Sequence, residues 1–99
     1  MKSLKIALAQ LSPCGGSDKN LERAVQACRA AADMGAHIIV FPEMFSCGYG
    51  VLNLERHEWA KYAQSVDGVY VRTLSQTARS LNLAAAVTLL EEREGALCN

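Results

Sequence analysis

His37-Ile38-Ile39-Val40-Phe41-Pro42-Glu43-Met44-Phe45-Ser46-Cys47-Gly48-Tyr49-Gly50 is the stretch on which the reading of this chain turns. It opens as an apolar, β-branched run, the pattern of a strand buried on both faces. Pro42 ends it, because proline has no N–H for a sheet ladder and holds the residue before it extended. Glu43 is therefore a carboxylate at the carboxyl end of a buried strand, the edge where open α/β sheets place their ligand sites. Gly48 and Gly50 allow a tight backbone path after it. Glu43 has two readings: a solvated acid that ends a strand, or a general base whose pKa is raised by apolar surroundings.

Ninety-nine residues suffice for one small domain with one core, and a hydrophobic share of 51% rules out a disordered tail. Ten basic and ten acidic residues cancel, so nothing in the charge points to nucleic acid or an anionic membrane surface. No apolar run is long enough to span a bilayer, and the positively flanked start is too short in its apolar part for a signal peptide. Cys14, Cys28, Cys47 and Cys98 form no C-x-x-C pair, and neither histidine lies at ligand spacing from one, so no metal is expected. They are read as reduced thiols of a cytoplasmic protein.

Working outward, residues 4–11 read as a first strand, with Leu4, Ile6, Leu8 and Gln10 on one face and Lys5, Ala7, Ala9 and Leu11 on the other. Residues 12–17 are a breaker-rich loop without a phosphate-cradle pattern. A helix is expected from about Asp18 or Asn20, both good capping types, with Leu21, Ala24, Val25, Cys28, Ala31 and Ala32 on its inner face and Gly35 as its terminator. Cys28 is core filling. Strand, helix and strand make a βαβ unit with parallel strands. Residues 52–64 look like a short, partly exposed helix in which His57 is solvated. Asp67-Gly68 opens a second amphipathic helix carrying Tyr70, Val71, Leu74, Ala78 and Leu81. Residues 83–90 are a third buried strand, residues 91–95 a polar turn, and residues 96–99 the start of a returning strand, as if the sequence were incomplete.

A strand ending in Ala-Gln, a helix containing Asn-Leu and followed by Gly-Ala, and then Ile-Ile-Val-Phe-Pro-Glu-Met-Phe-x-x-Gly-Tyr together resemble the nitrilase (carbon–nitrogen hydrolase) superfamily. The likeness extends to the Asp-Gly before the second helix, the third strand and the acidic hairpin, and so covers essentially residues 1–99. It implies an α/β fold: a partial α-β-β-α sandwich, here the amino-terminal part of the domain, with one βαβ-based sheet and helices on one face. It implies hydrolysis of small amide, carbamoyl or nitrile substrates by a glutamate, a lysine and a cysteine, without metal or organic cofactor, in a homo-oligomer whose layers stack. In that mechanism the glutamate takes the thiol proton, the lysine stabilises the developing charge, and the same glutamate activates water against the thioester. The resemblance carries the glutamate onto Glu43. The family's lysine and nucleophile positions lie beyond Asn99, so Cys47, Cys98 and Lys61 match neither. Phe45 and Tyr49 are candidate pocket-lining residues, with packing under the loop as the other reading of each.

Two other readings remain beside a hydrolase. The chain could be a non-catalytic binding or assembly module that pairs through its open sheet. It could equally be an unrelated small α/β domain, flavodoxin-like for instance, in which Glu43 only ends a strand.

Overall fold

The computed structural model describes residues 3–99; Met1 and Lys2, part of the positively flanked start, lie outside the described residues. The chain runs β1 (Ile6–Leu8), α1 (Ser17–Asp33), β2 (Ile38–Val40), two 3₁₀ helices (Tyr49–Asn53 and Arg56–Tyr62), α2 (Val69–Ser80), β3 (Ala84–Ala86), β4 (Glu91–Arg93) and β5 (Ala96–Cys98). β1, β2 and β3 form one parallel sheet in that order, and β4 and β5 pair as an antiparallel hairpin. The expected βαβ unit is present, and a second helix-to-strand step repeats it.

Both helices end the same way, and that ending sets the strands. After α1 the backbone turns left-handed at Gly35 (φ 80°). The Gly35 N–H donates to the Ala32 carbonyl and the Ala36 N–H to the Ala31 carbonyl, a Schellman pair. After α2, Asn82 (φ 53°) takes the same place, with the Asn82 N–H on Arg79 and the Leu83 N–H on Ala78. Each helix is thereby turned directly into the strand that follows it.

The core lies between these helices and one face of the sheet. Ala24, Cys28 and Ala31 of α1, Tyr70 and Leu74 of α2, and Ile39 of β2 are buried together with Phe41, Phe45 and Leu83. The buried faces of both helices are those their spacing predicts, and Cys28 is core filling as expected. In the register, Ala7, Ile39 and Ala85 stand side by side on this covered face.

Several expectations are corrected. The strands are shorter than 4–11, 37–41 and 83–90, and they are not buried on both faces: Ile6, Leu8, Val40, Ala84 and Ala86 are exposed. The small side chains of β1 face the helices and the large ones face outward, because α1 and α2 cover only one face. α1 begins at Ser17 after Gly16, with no side-chain cap; Asp18 lies inside its first turn, and Asn20 is buried one turn in. Residues 52–64 form 3₁₀ turns rather than an α-helix, with His57 exposed. Residues 91–93 are already strand, and the turn is only Glu94 and Gly95, both with positive φ, as two-residue hairpins of this hand require. No helix among the described residues is long and apolar enough to cross a membrane.

Candidate active site

The turn that carries Glu43 leaves β2 at its carboxyl end and is gripped from two sides. On one side is Asn20, with no exposed surface. Its amide donates to the Cys14 carbonyl at 3.0 Å and the Ser46 carbonyl at 3.1 Å, while its oxygen accepts the Cys14 N–H at 2.7 Å. A buried amide satisfied in this way joins three segments at once: the loop after β1, the first turn of α1 and the Glu43 turn. On the other side, Ser46 Oγ accepts the Leu90 N–H at 3.2 Å, and Thr88 Oγ1 accepts the Phe45 N–H at 3.1 Å while donating to the Pro42 carbonyl.

Within the turn, Met44 is buried and left-handed (φ 56°), a conformation that costs a residue with a Cβ about 1–2 kcal/mol. Its carbonyl accepts the N–H groups of Cys47 at 3.2 Å and Gly48 at 2.6 Å. Gly48 also has positive φ, and a Cβ there would stand 2.9 Å from Pro13 Cγ, so glycine is required. Gly50 meets no such constraint: nothing lies within 4 Å of where its Cβ would be. Met44, Val51 and Leu90 form a second, smaller core under the turn, with Trp59 and Tyr62 packed against it.

The Glu43 side chain projects from this support into solvent. One carboxylate oxygen accepts the Tyr49 hydroxyl and the other the Asn99 amide. The Tyr49 bond first, and the Asn99 bond second, hold the Glu43 carboxyl below the usual carboxylate range. This corrects the expectation of a raised pKa. Apolar residues lie under the turn, but the carboxylate itself is exposed, so hydrogen bonding to the charged form outweighs desolvation. The same bond pushes the Tyr49 phenol up.

One hollow is lined by Glu43, and a second is lined by the two residues that bond to its carboxylate. The first, of about 360 Å³, is completed by Val87, Thr88, Leu89, Glu91 and Asn99. The second and larger, of about 590 Å³, is walled by Met44, Leu90 and Leu97, with Tyr49, Arg56 and Asn99 among its polar groups. Tyr49 and Asn99 thus belong both to the larger hollow and to the hydrogen bonds on Glu43. The Arg56 guanidinium lies over the Trp59 ring, 5.7 Å from its centroid.

Of the residues singled out in the sequence, the structure brings Tyr49 to Glu43 and keeps Phe45 away. Phe45 has no exposed surface and packs on Phe41 with ring centroids 5.4 Å apart, so its place is the core rather than a hollow's wall. Cys47 is half-buried in the same turn, where burial pushes its thiol up. Cys98 lines the larger hollow, and Lys61 is exposed on the second 3₁₀ helix. Sequence reasoning missed Asn20, Thr88 and Asn99. For Asn20 a signal existed: an amide facing the same way as Ala24 and Cys28 is not on the helix's wet side.

Known proteins resemble this chain along most of its length. A carbon–nitrogen hydrolase family model matches residues 5–99. Glutamine-dependent NAD(+) synthetase of Thermotoga maritima is 48% identical over 50 residues, 50% of this chain and 9% of that protein. Omega-amidase NIT2 of Mus musculus is 31% identical over 100 aligned residues, 100% of this chain and 34% of that protein; the Homo sapiens protein of that name gives the same figures. The chain therefore spans about a third of the omega-amidases it matches and less than a tenth of the synthetase. Matched almost from end to end, the chain belongs to the carbon–nitrogen hydrolase family.

Proposed function

We propose that this chain supplies the general base of an amidase-type carbon–nitrogen hydrolase, and that the base is Glu43. The observation that carries the reading is the placement of that carboxylate. It stands at the carboxyl end of β2 on a turn fastened from two sides, with no cation paired to it among the described residues, and with two hydrogen bonds on its charged form. A carboxylate held ionised is already in the proton-accepting state at neutral pH. Substrate covering the hollow beside Tyr49 would remove water from it and raise its basicity.

In this reading the reaction follows the thioester route. Glu43 takes the proton of a cysteine thiol, the thiolate adds to the amide, carbamoyl or nitrile carbon, and a lysine ammonium stabilises the negative charge that develops. Glu43 hands that proton to the departing ammonia or amine (the thioimidate formed from a nitrile first takes up water) and, ionised again, takes a proton from the water that cleaves the thioester. The lysine and the nucleophilic cysteine are residues outside these ninety-nine. Tyr49 orients the base and borders the substrate. The chain works in the cytoplasm with its cysteines reduced, within a homo-oligomer of sandwich layers built on the exposed face of the β1–β2–β3 sheet.

The test uses a polypeptide extended to the full length of the omega-amidases, assayed for ammonia released from amide, carbamoyl and nitrile compounds. Glu43→Gln is expected to lower turnover by about two to four orders of magnitude or more, since one residue serves two proton transfers. Glu92→Gln, on the exposed hairpin, serves as the control and should change little. Near-normal turnover by Glu43→Gln at an unchanged Tm would make Glu43 a strand terminator and nothing else. The ninety-nine residues alone are expected to release no ammonia above buffer, because covalent catalysis needs a nucleophile and a charge stabiliser as well as a base.

A further inference from the structure

Thr88 lies two residues past β3, where the parallel ladder has ended: the last rung joins the Phe41 N–H to the Ala86 carbonyl at 3.2 Å. Beyond that rung the chain reaching Glu43 has lost the sheet as a scaffold. Pro42 has no N–H, and Met44 is in a left-handed conformation that the chain does not favour by itself. The Thr88 hydroxyl stands where the ladder stops. It donates to the Pro42 carbonyl and accepts the Phe45 N–H at 3.1 Å. Those two backbone groups bracket Glu43, one residue before it and two after. One hydroxyl thus closes both ends of the short segment that aims the carboxylate.

The other fastenings act elsewhere in the turn. Asn20 and the Leu90 N–H both hold Ser46, three residues past Glu43. They would survive the loss of the Thr88 hydroxyl and keep the turn attached to the domain. They do not touch Pro42 or Phe45, and so leave the direction of the Glu43 side chain unfixed.

We infer that Thr88 is a positioning residue for Glu43, its hydroxyl holding the carboxylate where the Tyr49 hydroxyl and the Asn99 amide meet it. The value of that aim to a reaction rests on the reading of Glu43 as the base, but the aim itself is measurable without turnover. Valine at position 88 keeps the branched shape and removes both hydrogen bonds; serine keeps the hydroxyl and removes only a methyl group.

The measurement is a carbon-13 titration of the Glu43 side-chain carboxyl in the ninety-nine-residue chain, with Tm recorded for each variant. Thr88→Val is expected to move the Glu43 midpoint up to the ordinary carboxylate range, because the bonds to Tyr49 and Asn99 are lost with the aim. Thr88→Ser should titrate like the unaltered chain. A Thr88→Val protein with lowered Tm and an unmoved Glu43 midpoint would make Thr88 merely structural, and a Thr88→Ser protein behaving like Thr88→Val would show that the hydroxyl is not the agent. Should Thr88→Val not fold, hydrogen exchange of the unaltered chain decides. The Phe45 amide must be protected like that of Phe41, and exchange at the rate of an open loop overturns the inference. Retained turnover in Glu43→Gln would remove the catalytic reading and leave the Thr88 dependence of the titration intact, so the two failures are distinguishable.

Discussion

The two faces of the β1–β2–β3 sheet are alike in chemistry and opposite in fate. Ala7, Ile39 and Ala85 line the face under α1 and α2, where Ile39 is 1% exposed. Ile6, Ile38 and Ala84 in one row, and Leu8, Val40 and Ala86 in the next, line the other, where Leu8 is 76% exposed and Ile6 50%. An apolar pattern states that a face is suited to burial. It does not state what buries it. The larger side chains of β1 stand on the face that the described residues leave open, so that face is a surface made for packing rather than an accident of exposure.

The sharpest way to break the comparison is to truncate one side chain on each face. Ile39→Ala should cost about 2–5 kcal/mol, the usual loss for a fully buried aliphatic side chain that leaves a cavity. Leu8→Ala should change stability by less than about 0.5 kcal/mol, as surface substitutions do. Urea denaturation of the two variants decides. Equal losses would mean that the outer face is covered in solution.

Covering is what the second experiment reads. With an apolar face and, among the described residues, two unpaired strand edges, β1 and β3, the chain is expected to sediment as dimers or larger species at micromolar concentration and to bind an apolar dye. The double variant Leu8→Lys with Val40→Lys places two cations on that face and should shift the boundary to monomer without lowering Tm. A compact, dye-negative monomer before substitution would remove the open face as the cause of assembly.

How far the sequence reaches follows the same division. Period and helix-stop chemistry found α1, α2 and the faces they bury, because a 3.6-residue spacing and the residues past Gly35 are local signals. Asn82 holds the same stop position, but asparagine marks a left-handed residue less plainly than glycine does. The placement of Glu43 at a strand end was legible from Phe41-Pro42. Its ionisation was not, because Tyr49 and Asn99 reach it only through the folded chain. Thr88 read as one more strand residue for the same reason: its partners are 43 and 46 positions away. The two 3₁₀ segments are too short and irregular to show a period of their own.

On the covered side, Tyr70 offers a smaller effect. Burial, with lesser help from the Cys47 and Cys28 thiols, pushes its phenol from 10.0 up to about 12. The folded state therefore favours the neutral form. That stability is fully present below the unfolded tyrosine's pKa and is lost as pH rises through the window between 10.0 and about 12. The loss amounts to roughly 3 kcal/mol, at about 1.4 kcal/mol per pKa unit. Tyr70→Phe should flatten this alkaline limb without abolishing it, because burial also raises the Cys28 thiol above 9.0 and acts in the same sense. An unchanged alkaline limb would place the Tyr70 ring in contact with water.

The smallest effect belongs to the exposed carboxylate itself. Glu43 is held below its ordinary value of 4.5, first by Tyr49 and then by Asn99. For a carboxyl with a depressed folded pKa, the contribution to stability is fully present above the unfolded value and is lost as pH falls through the folded one. Tyr49→Phe removes the larger cause and leaves the ring, so Tm should fall slightly near neutrality, where the contribution is fully present, and change little in acid, which makes the acid limb of a Tm-against-pH curve slightly shallower. Glu91, held low by its bond to Arg93, has an acid limb of the same sign and is a source of confusion. Repeating the pair of curves in a Glu91→Gln background separates the two, since only the Glu43 part responds to Tyr49. If Tyr49→Phe leaves the limb unaltered there as well, the Tyr49 hydroxyl does not rest on Glu43 in solution. The carboxylate would then be an ordinary solvated acid on the outer side of the molecule, and the case for a held, ionised base at the end of β2 would lose its main support.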